Sequence, residues 1–245
     1  MANLYLREDL DDAIVGGDIV LEGAEAKHVV SVSRTRVGDA LRVTNGSGLV
    51  VDGAVQSAEP SCVVVRVDAV TRLERPHPRI VLVQALAKGD RDELAVQAAV
   101  ELGVDEVVPW QASRSVSRWQ GDRAFKGVQR WRTIVREATK QSMRAWLPDV
   151  TEPATTAQLA ERATDSRMLV LEPGAEVPLT GIRWSVADGR DLVVVVGPEG
   201  GIAPEESARL ASAGATSVRL GDSVLRTSSA GPAAIAVLNA VIGRW

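Results

Sequence analysis

Leu192-Val193-Val194-Val195-Val196-Gly197-Pro198-Glu199-Gly200-Gly201 sets five apolar residues in a row directly ahead of a glycine-rich turn. A strand with no polar alternation must be buried on both faces, which is the signature of a parallel sheet covered by helices. Outward from it, Ile80–Leu86, Glu106–Trp110, Met168–Leu171 and Ser217–Leu220 read as further strands. Between them lie helical stretches. Asp92–Leu102 carries Leu94, Ala98 and Leu102 in one stripe and stops at Gly103. Phe125–Trp146 sets Val128, Trp131, Val135 and Ala138 on one face, Pro204 opens a helix that Gly214 closes, and Ala230–Ile242 is the last. Ligands of such sheets sit beyond the carboxyl ends of the strands. Three ends are rich in glycine or short polar residues: Glu172-Pro173-Gly174, Gly197–Gly201, and Gly221–Thr227. Glycine there lets the backbone approach a ligand without a Cβ in the way.

The first seventy residues read as β structure. Asp39–Asp52 alternates apolar and polar residues on both sides of Asn45-Gly46, a hairpin signal, and Ser61–Val67 is a β-branched run. Glu74-Arg75-Pro76-His77-Pro78 breaks the pattern, so the expected division is a small β-barrel domain, 1–73, and an α/β domain, 74–245.

Net charge is −4, but segment 110–146 carries nine Lys and Arg against two Asp and Glu. An acidic protein with one basic stretch has a directed anionic partner. Arg114, Arg132, Arg136, Lys140 and Arg144 are the expected RNA contacts, the last four recurring every fourth residue, with Trp110, Trp119, Trp131 and Trp146 interleaved. Cations follow phosphates, and exposed aromatics stack on unpaired bases. Trp131 reads as core, and Arg118 and Arg123 as a solvated face. Other classes are excluded. No run of 18 apolar residues spans a membrane, and the acidic start lacks a signal-peptide pattern, so a cytoplasmic location is expected. Cys62 has no disulfide mate, and with only His28 and His77 no metal site is expected. Walker spacing and a dinucleotide fingerprint are both missing, which disfavours a phosphate cradle and a nicotinamide enzyme.

The order Gly197-Pro-Glu-Gly-Gly201, Leu220-Gly221, Leu225-Arg226-Thr227 and an alanine-rich helix resembles the SPOUT methyltransferases. Lys88, Glu101-Leu-Gly-Val104, Pro109, Arg114-Ser115-Val116, Glu137-Ala138, Gln141-Ser142, Arg144 and Pro148 narrow the resemblance to the 16S rRNA uridine-N3 methyltransferase family. His28, Val32, Arg34 and Gly38-Asp39 are similar to its small PUA-like RNA-binding domain, so His28 and Arg34 are expected on RNA. The resemblance implies a deep trefoil knot, a homodimer, 16S rRNA of the 30S subunit as substrate, and bent S-adenosylmethionine. Its cofactor loops fall on Leu171, Glu172 and Gly174; on Gly197, Glu199, Gly200 and Gly201; and on Leu220, Gly221, Val224, Leu225 and Arg226. One departure stands out: Ser228 occupies the position of a family glutamate. A serine still donates and accepts hydrogen bonds.

Methylating uracil N3 requires alignment with an activated methyl and loss of the N3 proton. A nearby cation favours the anion that remains, which makes Arg226 and Arg144 the expected catalytic residues. Glu199 either faces the sulfonium charge or fixes its turn. Two rival readings share the fold: a non-catalytic RNA-binding or ribosome-assembly protein, and an enzyme acting on tRNA or on a ribose hydroxyl.

Overall fold

The computed structural model describes residues 4–185 and 188–245. They fall into two compact units, one running to Arg75 and taking in Thr139–Leu147, the other formed by Pro76–Ala138 and Pro148–Trp245.

The first unit is a five-stranded sheet built from β1 (Leu4–Leu6), β2 (Asp18–Glu22), β3 (Ala40–Thr44), β4 (Leu49–Glu59) and β5 (Cys62–Arg72). Their order is β1-β3-β4-β5-β2, with β1 parallel to β3 and the other pairs antiparallel. Helix α1 (Gly23–Lys27) runs into a π-helical turn at His28–Val32. Strand alternation puts Val43, Leu49, Val51, Val55, Val63 and Val65 into one core with Tyr5, Leu21 and Val29.

The Asn45-Gly46 turn predicted from sequence is wider than a two-residue hairpin, and the reason is a guest segment. Ala145 O accepts from Gly48 N at 3.1 Å and from the Thr44 hydroxyl at 3.0 Å, and Leu147 N donates to Gly46 O at 2.8 Å. Gly48 has φ +92°, and a Cβ there would lie 2.4 Å from Leu73 O and 2.6 Å from the Trp146 ring. Only glycine fits. Residues 139–147 therefore pack with the first unit, although chain order alone assigns them to the second.

The second unit is a six-stranded, wholly parallel sheet: β6 (Ile80–Ala85), β7 (Glu106–Trp110), β8 (Asp149–Val150), β9 (Arg167–Leu171), β10 (Leu192–Val196) and β11 (Thr216–Val218). The order is β11-β9-β10-β6-β7-β8. Helices α2 (Arg91–Glu101), α3 (Asp122–Gln141), α4 (Thr156–Asp165), α5 (Pro204–Ser212) and α6 (Thr227–Val241) complete it. Residues of β10 alternate between two buried faces. Val193 and Val195 join Leu159 of α4 and Leu210 of α5, whereas Val196 faces Gly231 of α6 together with Leu82.

Three details correct the sequence expectations. The buried face of α2 is Ala95, Val96, Ala99 and Val100, and Leu94 is 51% exposed. Small residues serve there because α6 packs closely, with Asn239 Nδ2 donating to Leu102 O at 2.6 Å. Helix α3 ends at Gln141, so Arg144 lies beyond it. Strand β8 and helix α4, which a Thr155–Gln158 capping box starts, were not expected. The predicted face of α3 stands: Val128, Trp131, Val135 and Ala138 are all buried.

An ion-pair network closes the amino ends of the strands. Arg79 meets Glu106 at 3.1 Å and Asp149 at 2.8 Å, and Arg244 meets Asp105 at 2.9 Å. The carboxyl ends of β9, β10 and β11 are thereby the end left open for a ligand.

Candidate functional site

Beyond β9, β10 and β11 the chain encloses a cavity of about 450 Å³. Small-molecule sites span about 300–1,000 Å³. The cavity is lined by Leu171, Glu172, Gly197, Glu199, Gly201, Leu220, Gly221, Val224, Leu225 and Arg226, ten of the twelve positions expected from the three loops. Gly174 and Gly200 are not in its lining. Arg91, Ile202, Val218, Arg219 and Ala230 also line it and lie outside the loop ends read from the sequence, whereas Ser223 and Thr227 belong to the Gly221–Thr227 end. Ile202 follows Gly201 and Arg219 precedes Leu220, so adjacency to the loops is the available signal for those two. Arg91 comes from a different β–α connection, and nothing in the sequence ties it to these loops.

The loops are held by side chains. Glu172 accepts from the Ser207 hydroxyl, and Arg219 donates to Ala175 O at 2.8 Å. Gly197 curls so tightly that a Cβ would meet Ile202 Cγ1 at 2.7 Å. The Thr227 hydroxyl donates to Gly197 O at 3.0 Å and accepts from Gln84 Nε2 at 3.0 Å. Because Gln84 is fully buried in β6, this chain of bonds ties a central strand to two of the three loops.

Glu199 is committed to the loop. Its Oε1 accepts from Lys88 N at 3.2 Å and pairs with Arg91 at 3.0 Å. Burial pushes its pKa up, but backbone N–H donors and Arg91 outweigh that and hold it below the usual carboxylate value. Of the two readings of Glu199, turn-fixing is the one with contacts to support it. Arg226 differs. It is exposed at the start of α6, with extended backbone at φ −66° and ψ 153°, and no described residue bonds its guanidinium. Ser228 sits half-buried in the first turn of the same helix.

Farther along the rim, Glu206 in the first turn of α5 is buried. It accepts from Thr156 Oγ1 at 2.6 Å, Ser113 Oγ at 2.8 Å and Ser113 N at 3.0 Å. Burial raises its pKa, and these donors lower it further still, so the carboxylate stays ionised. Glu206 thus anchors the loop after β7, whose Arg114 donates to Gly200 O at 3.1 Å.

The expected RNA contacts separate. Arg114 and Arg132 are exposed, Arg132 reaching Val150 O at 3.4 Å and Glu152 at 3.6 Å. Arg136 is half-buried. Lys140 is corrected: its side chain is 7% exposed, with Nζ 3.1 Å from Glu25 and 3.3 Å from His28 Nδ1. A lysine so enclosed cannot follow a phosphate backbone. His28 is half-buried against Tyr5, and Arg34 is exposed in the left-handed region at φ 53°. Arg144 belongs to the first unit and does not line the cavity. Trp110 and Trp131 are core, and Trp146 is half-buried, its Nε1 on Leu73 O. Of the four interleaved tryptophans, Trp119 is the half-exposed one within the second unit.

Among the described residues no helix is long and apolar enough to cross a membrane, and no cluster of His, Cys, Asp and Glu could hold a metal.

Comparison with known proteins places this architecture. The family described as RNA methyltransferase domain matches residues 74–239, and the RNA methyltransferase PUA domain matches 21–68. Ribosomal RNA small subunit methyltransferase E of Mycobacterium tuberculosis is 38% identical over 250 residues, covering 100% of this chain and 94% of the relative. The protein of the same name from Bacillus subtilis is 31% identical over 217 residues, covering 86% and 85%. The methyltransferase E of Neisseria gonorrhoeae, solved with bound S-adenosylmethionine, superposes with a TM-score of 0.87 at 26% identity over 98% of each chain. With its PUA domain, its parallel sheet and matches along its whole length, the chain belongs to the ribosomal RNA small subunit methyltransferase E family.

Proposed function

We propose that this protein transfers the methyl group of S-adenosylmethionine to N3 of a uridine in 16S rRNA of the small ribosomal subunit. The observation that carries the reading is the convergence of the loops after β9, β10 and β11 on one cavity of about 450 Å³. The residues fit the cofactor: apolar walls from Leu171, Ile202, Val218 and Leu220 suit an adenine and a ribose carbon face, and glycine backbone supplies close polar contacts. The bound cofactor supplies an activated sulfonium methyl. The chain supplies position and field. Thr227, Gln84 and Gly197 lock two of the loops, and Glu199 with Arg91 fixes the turn between them.

Arg226 faces the cavity with a guanidinium unpaired among the described residues. A cation there stabilises the uracil anion left when the N3 proton departs. Arginine cannot itself take that proton at neutral pH. Arg144 stands as a second cation on the strength of the sequence resemblance. The same reading carries a trefoil knot around the cofactor loops, a homodimer, the 30S subunit as the form of the substrate and a cytoplasmic location. In this reading Ser228 is compatible with activity. Calorimetric titration with S-adenosylmethionine tests the cofactor half: one site per chain is expected, and no binding refutes it.

A further inference from the structure

Segment 116–126 of the second unit forms an open groove lined by Val116, Ser117, Arg118, Trp119, Arg123 and Lys126. We propose that this groove binds single-stranded RNA beside the methylated nucleotide, with Trp119 as a stacking platform and Arg123 and Lys126 as phosphate contacts. The inference rests on RNA being the substrate and adds to that reading a site distinct from the cofactor cavity.

Trp119 is built to present one face. Its ring meets the buried Trp131 edge-on at 5.3 Å, and its backbone N–H, donating to Gln111 Oε1 at 2.8 Å, fixes the main chain that carries it. Gly127 lies so close that a Cβ would come within 2.6 Å of the indole. The ring is therefore clamped from behind while remaining half-exposed, and a rigid aromatic face loses little entropy when a base stacks on it. Arg123 and Lys126 lie three residues apart at the start of α3, so they share a face. Both are exposed, and no described residue pairs with either. Asp122 is the one acidic residue between Ser113 and Arg136, and Glu93 from α2 pairs with Arg130, at 2.8 Å. Arg118 serves a different purpose, donating to Ser113 O at 2.7 Å and stapling the loop. The same loop places Arg114 on Gly200 O at 3.1 Å, which puts the groove beside the cofactor loop after β10.

A fluorescein-labelled short oligouridylate, read by anisotropy over a salt series, tests the proposal on the full chain. Arg123→Ala/Lys126→Ala removes two phosphate contacts, and log K against log salt becomes shallower by about 1.4. Trp119→Ala weakens binding about ten-fold, and Trp119→Phe restores most of it. S-adenosylmethionine affinity and melting temperature stay as in the wild type for the Arg123/Lys126 variant, which separates this site from the cofactor reading. A wild type that does not bind the oligouridylate overturns the proposal. So does equal binding by all variants, or loss of self-association by sedimentation with RNA binding intact, which assigns the face to a second copy of the chain. Failure of the wild type to bind S-adenosylmethionine, with the salt-slope change preserved, refutes the methyltransferase reading and leaves the groove standing.

Discussion

Thr227→Val changes one atom of the bond chain that connects β6 with the cavity loops. Valine keeps the shape of threonine, so packing at this 8% exposed position is undisturbed. What disappears is the hydroxyl that donates to Gly197 O and accepts from Gln84 Nε2. Gln84 Nε2 retains Ala85 O at 3.2 Å, but Gln84 Oε1 already lacks a protein partner, so this buried amide can ill spare a further bond. Each intact bond contributes about 1 kcal/mol net, and a buried group left unpaired costs about 1–3 kcal/mol. The expected loss of stability is about 2–3 kcal/mol, or about 5–10 °C in the unfolding midpoint of a unit this size. The effect on the site is larger than the effect on the fold, because the Gly197 carbonyl is freed to turn within the cavity wall. Thermal unfolding by circular dichroism with parallel S-adenosylmethionine titrations measures both. Thr227→Ser keeps the hydroxyl and stays close to wild type in affinity. A valine variant that melts within a degree of wild type and binds the cofactor equally well refutes the bond chain as a support of the loops.

Arg226→Ala lowers kcat for methyl transfer by about 10²–10³ while cofactor affinity and melting temperature hold, which steady-state kinetics and calorimetry resolve. Gly197→Ala drives a Cβ into Ile202 Cγ1, expected at 2.7 Å, and costs about 1–3 kcal/mol with a matching loss of cofactor affinity on titration. Glu206→Gln replaces a carboxylate that accepts from three donors and destabilises by about 2 kcal/mol in chemical denaturation. Because the folded-state pKa of Glu206 is depressed, its contribution is complete above the unfolded value of about 4.3 and is lost as pH falls through the folded value. The gap between wild type and Glu206→Gln in melting temperature therefore closes in acid; a gap constant from pH 7 to pH 3 contradicts the ionised carboxylate.

Much of the second unit was legible in its residues. Unbroken apolar strands such as Leu192–Val196 have one stable environment, and glycine-rich turns at their carboxyl ends mark where a ligand can approach. The resemblance made these three strand ends cofactor loops, and ten of the twelve expected positions line the cavity. The failures share a cause, which is partnership distant in sequence. Leu94 looked buried by its spacing, yet α6 selects the small residues Ala95 and Ala99 of α2. Lys140 looked like one of four basic residues on a helix face, yet it is enclosed by Glu25 and His28, more than a hundred positions earlier. The turn at Asn45–Gly48 was widened by Ala145 and Leu147 in the same way. Arg91 reached the cavity through Glu199, a pairing that no local pattern encodes.

Incubating the protein with labelled S-adenosylmethionine and 30S subunits lacking the modification, then identifying product nucleosides by mass spectrometry, tests the proposed activity most directly. The account predicts 3-methyluridine in the 16S rRNA, formed by the wild type and strongly reduced in Arg226→Ala. A different methylated nucleoside, or no transfer by a chain that binds the cofactor, contradicts it.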